Sequence, residues 1–243
     1  MGQEANPAKL LAARAAAELV ESGMIVGLGT GTTAALMLQR LGERLEQEGL
    51  RIVGVPTSVA TAEHAKELGI PLRELDDVPG LDINLDGADE VDPQFRMIKG
   101  RGGALLREKI VACAAWRRVT IITEDKCVER LGVNAPVPVE VSSVGLRHTE
   151  CRLKKLGAQT KIRCLADGTV YYTDGGNAII DCRFDEIQDP DELDIRLQSV
   201  VGVFETGLFV GLCDTLIIGT AEGVRILHAE GRRSKSCDPM EKR

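Results

Sequence analysis

Apolar and polar positions alternate in two rhythms over the first 130 residues. Short apolar runs ending in glycine or a polar residue read as strands: MIVGLG (24–29), RIVGVPTS (51–58), PLREL (71–75), LDINLDGAD (81–89) and RRVTIIT (117–123). Between them lie longer runs with helical spacing. AKLLAARAAAELVESG (8–23) follows an Asn6-Pro7 start suited to an N-cap and first helical position, and Gly23 closes it. TTAALMLQRLGERLEQEG (32–49) sets Leu36, Leu38 and Leu41 on one face and charges on the other. VATAEHAKELG (59–69) and ALLREKIVACAAW (104–116) complete the series. Strands alternating with helices predict βαβ units, and so a mainly parallel, Rossmann-like α/β sheet covered by helices on both faces.

The rhythm changes near Gly132. PVPVEV is a strand, RHTECRLKKLG a helix, QTKIRCL and AIIDCRF strands, with the hairpin material DGTVYYTDGGN between them. DPDELDIRLQSV opens a helix at Asp189 with Pro190 in its first turn, and GVFETGLF is a last strand. This β-α-β-β-α-β order predicts a smaller inserted α+β, ferredoxin-like domain over 132–206. Residues 1–131 then form the Rossmann-like catalytic domain. TLIIGT within 207–243 returns to it, and HAEGRRSKSCDPMEKR forms a charged, frayed tail.

Composition narrows the function classes. A net charge of −7 and 3% aromatic residues argue against nucleic acid as a partner, which wants a basic face and stacking platforms. No apolar run is long enough for a bilayer, and MGQEANPAKL lacks an apolar signal core, so no membrane partner is expected. Seven scattered cysteines without a C-x-x-C pair predict a reduced, cytoplasmic protein.

Three stretches carry candidate chemistry. GLGTGTTA (27–34) joins a strand to a helix N-terminus, where free N–H groups can meet an anion. It lacks the third glycine of a dinucleotide fingerprint and the Lys-Ser/Thr of a P-loop. Its hydroxyls, Thr30, Thr32 and Thr33, beside Gly29 and Gly31, suit a phosphate monoester; a tight βα turn with a threonine N-cap fits equally well. DGADEVD (86–92) gathers Asp86, Asp89, Glu90 and Asp92 at the end of an apolar strand. A hard-cation site, a solvated acidic turn and a strand-end functional site all remain open for it. In KGRGGALLREK (99–109), Glu108 has Ala104, Leu105, Val111 and Ala112 three and four residues away. A carboxylate on that apolar stripe is expected to be desolvated, with its pKa raised toward general-base range. A buried glutamate paired with an arginine is the rival reading. Lys99 offers an ammonium to negative charge developing on oxygen.

Taken together, GLGTGTTA, DGADEVD and KGRGGALLREK, in this order and spacing, resemble ribose-5-phosphate isomerase of the A type, and the resemblance spans essentially the whole chain. It implies interconversion of ribose 5-phosphate and ribulose 5-phosphate through an enediolate, with no cofactor and no metal. Carried over by residue, Glu108 resembles the base that moves the proton between C2 and C1. Asp86 and Asp89 resemble the carboxylates that assist ring opening and handle hydroxyl protons, and Lys99 the cation beside the enediolate oxygen. Thr30, Gly31, Thr32 and Thr33 resemble the phosphate- and sugar-binding turn, Lys9 and Lys126 its flanking lysines, and Gly100 and Gly102 belong to the substrate-binding loop. A homodimer or homotetramer is also implied. Arg101 and Leu106 stand where some members carry glycine and threonine, so effects on specificity or packing are expected there. Two other classes remain as rivals: a non-catalytic sugar-phosphate sensor and a metal-dependent sugar phosphatase using Asp86 and Asp89.

Overall fold

A computed structural model describes residues 6–229. In chain order its elements are α1 (Pro7–Ala17), β1 (Ile25–Leu28), α2 (Thr32–Gln47), β2 (Val53–Pro56), α3 (Val59–Glu67), β3 (Leu81–Gly87), β4 (Glu90–Val91), β5 (Met97–Ile98), α4 (Leu105–Cys113), β6 (Ala115–Thr123), β7 (Val137–Val141), α5 (Leu146–Lys155), β8 (Gln159–Ile162), β9 (Ala178–Arg183), α6 (Pro190–Gln198), β10 (Val203–Thr206), β11 (Leu208–Phe209), β12 (Thr215–Gly219) and β13 (Val224–His228). The described residues form two compact units, one from 6–87, 107–125 and 212–229, the other from 88–106 and 126–211.

The first unit holds a six-stranded sheet in the order β13-β12-β6-β3-β1-β2. All its pairs are parallel except the β12–β13 hairpin at one edge. Val26, Leu28, Ile83, Leu85, Val119 and Ile121 alternate along three strands onto one face and pack there with Ala12, Ala13 and Ala16 of α1 and Met37, Leu38 and Leu41 of α2. Small alanines on α1 let it lie close to its neighbours. Asn6 caps that helix by accepting from Ala8 N at 3.0 Å, with Pro7 first in the helix. Against the other face lies α4, whose Val111 clusters with Val55, Leu81 and Ala115.

This strand order creates a topological switch. From β1 the chain goes through α2 to β2 on one side, then returns through α3 to β3 on the other. The loops leaving β1 and β3 therefore diverge, opening a crevice at the carboxyl ends of those strands, where open α/β sheets bind ligands. GLGTGTTA follows β1, and Asp86 is the penultimate residue of β3.

The second unit runs β7-α5-β8-β9-α6-β10, with sheet order β10-β7-β9-β8 and every pair antiparallel. Val137, Val139, Val141, Ala178, Ile180 and Cys182 face Leu153 of α5 and Leu193 and Leu197 of α6 in its core. Asp189 caps α6, accepting from Asp191 N and Glu192 N. The inserted segment expected at 132–206 lies within this unit, which also takes in 88–106, 126–131 and 207–211. The added pieces build a small sheet, β11-β5-β4.

Four local expectations change. PLREL forms no strand: it makes one bridge, Gly54 to Leu72, and then a 3-10 turn at Leu75–Asp77, because Pro71 cannot donate to a ladder. GVFETGLF divides at Gly207 into β10 and β11, which join different sheets. Helix α1 ends at Ala17 rather than continuing to Gly23. Strand β13 was not expected, because its mostly exposed residues give little apolar signal; it ends at His228, the first residue of the expected tail. From residue 230 onward, that tail is outside the described residues.

Candidate active site

In the first unit, the turn after β1 is built around Gly31, the N-cap of α2, with φ 110° and no side-chain cap. The threonine N-cap reading is thereby replaced by a bare glycine cap. Ala35 N is the first to bond back, to Gly31 O at 2.9 Å. The N–H groups of Thr32, Thr33 and Ala34 therefore precede the helical ladder and, with the helix dipole, face incoming negative charge. Thr32 is exposed, Thr33 half-buried, and Lys9 Nζ donates to Thr32 Oγ1 at 3.0 Å. The structure thus brings Lys9 and the turn together.

Thr30 is used differently from its neighbours. Its Oγ1 lies 2.7 Å from Thr57 Oγ1, 2.9 Å from Ser58 Oγ and 3.1 Å from Thr61 Oγ1. Thr61 Oγ1 in turn donates to Gly29 O, and Thr57 Oγ1 to Leu28 O. This knot of hydroxyls ties the turn after β1 to the turn after β2. Thr57, Ser58 and Thr61 were absent from the sequence reading; the signal was PTS directly after a strand, beside a Thr-Gly-Thr-Thr turn.

Asp86 sits 4% exposed at the end of β3. Its Oδ1 accepts from Thr30 N at 3.2 Å and from Gly87 N at 2.7 Å, fixing the carboxylate across the β1–β3 crevice. Two residues earlier on the same face, Asn84 is buried with Oδ1 lacking any hydrogen bond. The sequence analysis did not single it out; the signal was one amide within the run LDINL.

Glu108 lies in the first turn of α4 and is 4% exposed. Its four helical neighbours, Ala104, Leu105, Val111 and Ala112, are all buried, so the side chain does lie on an apolar face. Strand β6 starts at Ala115 beside Leu81, the start of β3, so the C-terminus of α4 is at the amino end of the sheet. Its first turn, with Glu108, therefore stands at the carboxyl ends. A side chain at Gly27 would meet Asn84 Oδ1 at 2.5 Å and Val111 Cγ1 at 2.8 Å. Helix and sheet thus touch one helical turn below Glu108.

In the second unit the acidic run resolves into distinct jobs. Glu90 is fully buried and accepts from Gly132 N, Asn134 N and Ala135 N at 2.5–2.7 Å. Asp92 accepts from Gln94 N, Arg96 N and Arg96 Nε. Both carboxylates are spent on shaping loops. Among the described residues, no group of three His, Cys, Asp or Glu side chains is arranged to hold a metal ion. Asp89 is half-buried; its N–H donates to Ile98 O at 2.8 Å, and its Oδ2 accepts from Arg101 N at 3.0 Å.

Lys99 follows β5, is 5% exposed and holds its ammonium 5.4 Å from the centroid of the Phe209 ring. That cation–π contact keeps a buried charge on a rigid platform. Gly100, with φ 104°, and Gly103, with φ 82°, turn the next segment, and Gly103 N donates to Gly100 O at 3.0 Å. Gly102 is exposed within this turn. The Tyr171 ring fills the space beside Gly103; burial, together with the Asp174 charge, pushes its phenol pKa up. A cavity of about 280 Å³ is lined by Asp89, Arg101, Lys126, Asn134, Arg163 and Asp181, among others, so Lys126 joins Asp89 there.

Comparison with known proteins decides the family. The model of ribose 5-phosphate isomerase A (phosphoriboisomerase A) matches residues 53–223. The chain belongs to the ribose 5-phosphate isomerase A family. It is 50% identical to the ribose-5-phosphate isomerase A of Roseiflexus sp. (strain RS-1), across 91% of this chain and 96% of that one. A ribose 5-phosphate isomerase A structure from Methanocaldococcus jannaschii superposes with a TM-score of 0.87 at 39% identity, covering 91% of this chain and 98% of the other. A D-ribose-5-phosphate isomerase solved in complex with phospho-erythronic acid gives 0.89 at 39% identity, covering 93% and 100%. Both the α/β sheet and the added antiparallel unit are therefore those of the ribose 5-phosphate isomerase A fold.

Proposed function

We propose that this chain interconverts D-ribose 5-phosphate and D-ribulose 5-phosphate through an enediolate, with Glu108 as the base. The observation that carries the assignment is the buried carboxylate in the first turn of α4, on an apolar face at the carboxyl end of the sheet. Isomerisation moves one proton from C2 to C1, so a single carboxylate can take it from one carbon and return it to the other. Taking C2–H puts negative charge on the oxygen at C1, where the Lys99 ammonium supplies fixed positive charge. Asp86 and Asp89 handle the hydroxyl protons of ring opening. The N–H groups of Thr32 and Thr33, their hydroxyls, Lys9 and Lys126 bind the phosphate, and Gly100 and Gly102 let the backbone approach the sugar. Remote phosphate binding orients the reacting carbons over the base.

Phospho-erythronic acid, bound in the related structure, supports the same reading. It joins a planar anionic carboxylate to a phosphorylated chain, and an enediolate is likewise planar and anionic at C1 and C2. The scheme needs no metal, since Lys99 provides the positive charge. The cytoplasm as compartment accords with the free, exposed thiols Cys151 and Cys164. A homo-oligomeric state follows the family resemblance.

The deciding assay follows ribose 5-phosphate conversion before and after exhaustive chelation. Unchanged turnover is expected. Loss of activity that magnesium or zinc restores would transfer the electrophile's role to a metal.

A further inference from the structure

In the second unit, Arg163 is half-buried beside the glycine turn but lies far from it in sequence. Its Nη1 donates to Gly100 O at 2.8 Å and to Arg101 O at 3.2 Å. Its Nε and Nη2 form a fork onto Asp181, at 3.1 and 2.5 Å. Only 17% of the Arg163 side chain and 21% of the Asp181 side chain are exposed. The chain of contacts continues, because the N–H of Arg101, whose carbonyl Arg163 holds, donates to Asp89 Oδ2 at 3.0 Å.

We infer that Arg163, held by Asp181, is a positioning residue that fixes the peptides of Gly100 and Arg101 and through them the carboxylate of Asp89. The inference rests on Asp89 being a site residue, as proposed above. Glycine at 100, 102 and 103 makes this turn intrinsically permissive, so its geometry must be imposed from outside. A guanidinium suits that task. One edge pairs two carboxylate oxygens while the other nitrogen reaches two carbonyls, a division a lysine ammonium cannot reproduce with the same planarity. Asp181 neutralises the charge and holds the ring plane, so Arg163 acts on the backbone and leaves the substrate to Asp89 and the lysines. The same clamp sets the carbonyl directly after Lys99, giving the loop one conformation when substrate arrives.

The test compares Arg163→Ala, Arg163→Lys, Asp181→Asn and Asp89→Asn for kcat, KM, melting temperature and response to added ethylguanidinium. For Arg163→Ala, kcat per folded protein should fall about 10²-fold, the cost typical of a misplaced catalytic group, with KM for ribose 5-phosphate nearly unchanged. Arg163→Lys should lose nearly as much despite keeping the charge, and Asp181→Asn should lose less. Ethylguanidinium should raise Arg163→Ala several-fold and leave Asp89→Asn unaffected. A purely structural role would lower the melting temperature without changing kcat per folded molecule, and no guanidinium would rescue it; that outcome overturns the inference. So does wild-type kcat in both Arg163→Lys and Asp181→Asn while Asp89→Asn is crippled, and then the assignment of Asp89 survives alone. Full activity in Asp89→Asn would instead remove the site reading and this inference together.

Discussion

The carboxylate of Asp86 occupies the space that a side chain at Gly29 would need. A methyl group there would fall on Asp86 Oδ1 and within 2.7 Å of its Cα. Neighbouring backbone leaves no flexible group to give way. Gly29→Ala should therefore fold with a loss of about 1–3 kcal/mol, as expected for overpacking, and displace the carboxylate. Thermal melts and kcat measured together check this: kcat should drop at least tenfold in protein that is still folded. Wild-type turnover would mean that the position of Asp86 does not matter to the chemistry.

Glu108→Gln keeps the shape of the side chain on the apolar face of α4 and removes its ability to accept a proton. Turnover should fall roughly 10²–10⁴-fold, the usual contribution of a positioned base, while KM changes little. Turnover within a few-fold of wild type would exclude Glu108 as the base.

The turn after β1 separates two kinds of threonine. Thr33→Val and Lys9→Ala remove groups at the open helix terminus, so both should raise KM for ribose 5-phosphate with a smaller effect on kcat. Thr30→Val instead breaks the hydroxyl knot with Thr57, Ser58 and Thr61, leaving buried hydroxyls short of a partner. Its main effect should be a lower melting temperature. Steady-state kinetics beside calorimetry on the three variants gives the comparison. A KM unchanged in both Thr33→Val and Lys9→Ala would place the phosphate elsewhere.

An enediolate exposes the transferred proton to exchange while it rides on the base. In deuterated water, deuterium should enter C1 of ribulose 5-phosphate and C2 of recovered ribose 5-phosphate, and incomplete exchange is expected for a base buried as deeply as Glu108. Mass spectrometry over many reversible turnovers reads the result. No deuterium at either carbon would point to a hydride shift.

Fold and site were legible in the sequence to different degrees. The run from IVGL to LDINLDG read directly as a parallel sheet, because short strand-like segments alternated with longer helical ones, the pattern of βαβ units. The β-α-β-β-α-β order was legible for the same reason. PLREL misled, since five residues with leucine at both ends carry a strand pattern but Pro71 and the 3-10 turn give it nothing to pair beyond one bridge. Asp86 and Glu108 could be picked out because a carboxylate at a strand end or on an apolar stripe violates the local pattern. Arg163 and Asp181 could not. Arg163 directly follows β8 and Asp181 lies in β9, and neither breaks its local pattern; their meaning comes from the carbonyls that Arg163 reaches some sixty residues away in the chain. Likewise, nothing in DGADEVD itself tells Glu90 and Asp92, spent on loop N–H groups, from Asp86 and Asp89.

The placement of β12 between β6 and β13 also governs how the chain survives its own synthesis. Before residue 215 emerges, β6 offers Val119, Thr120, Ile121 and Ile122 as the outermost strand of a growing sheet. A bare apolar strand of that kind recruits other chains. Strand β12 covers it, and β13, with four of its five residues exposed, then turns a solvated edge outward. Residues 215–228 therefore close the apolar edge of the sheet and guard it against self-association, although the proposed catalytic groups all lie upstream of them.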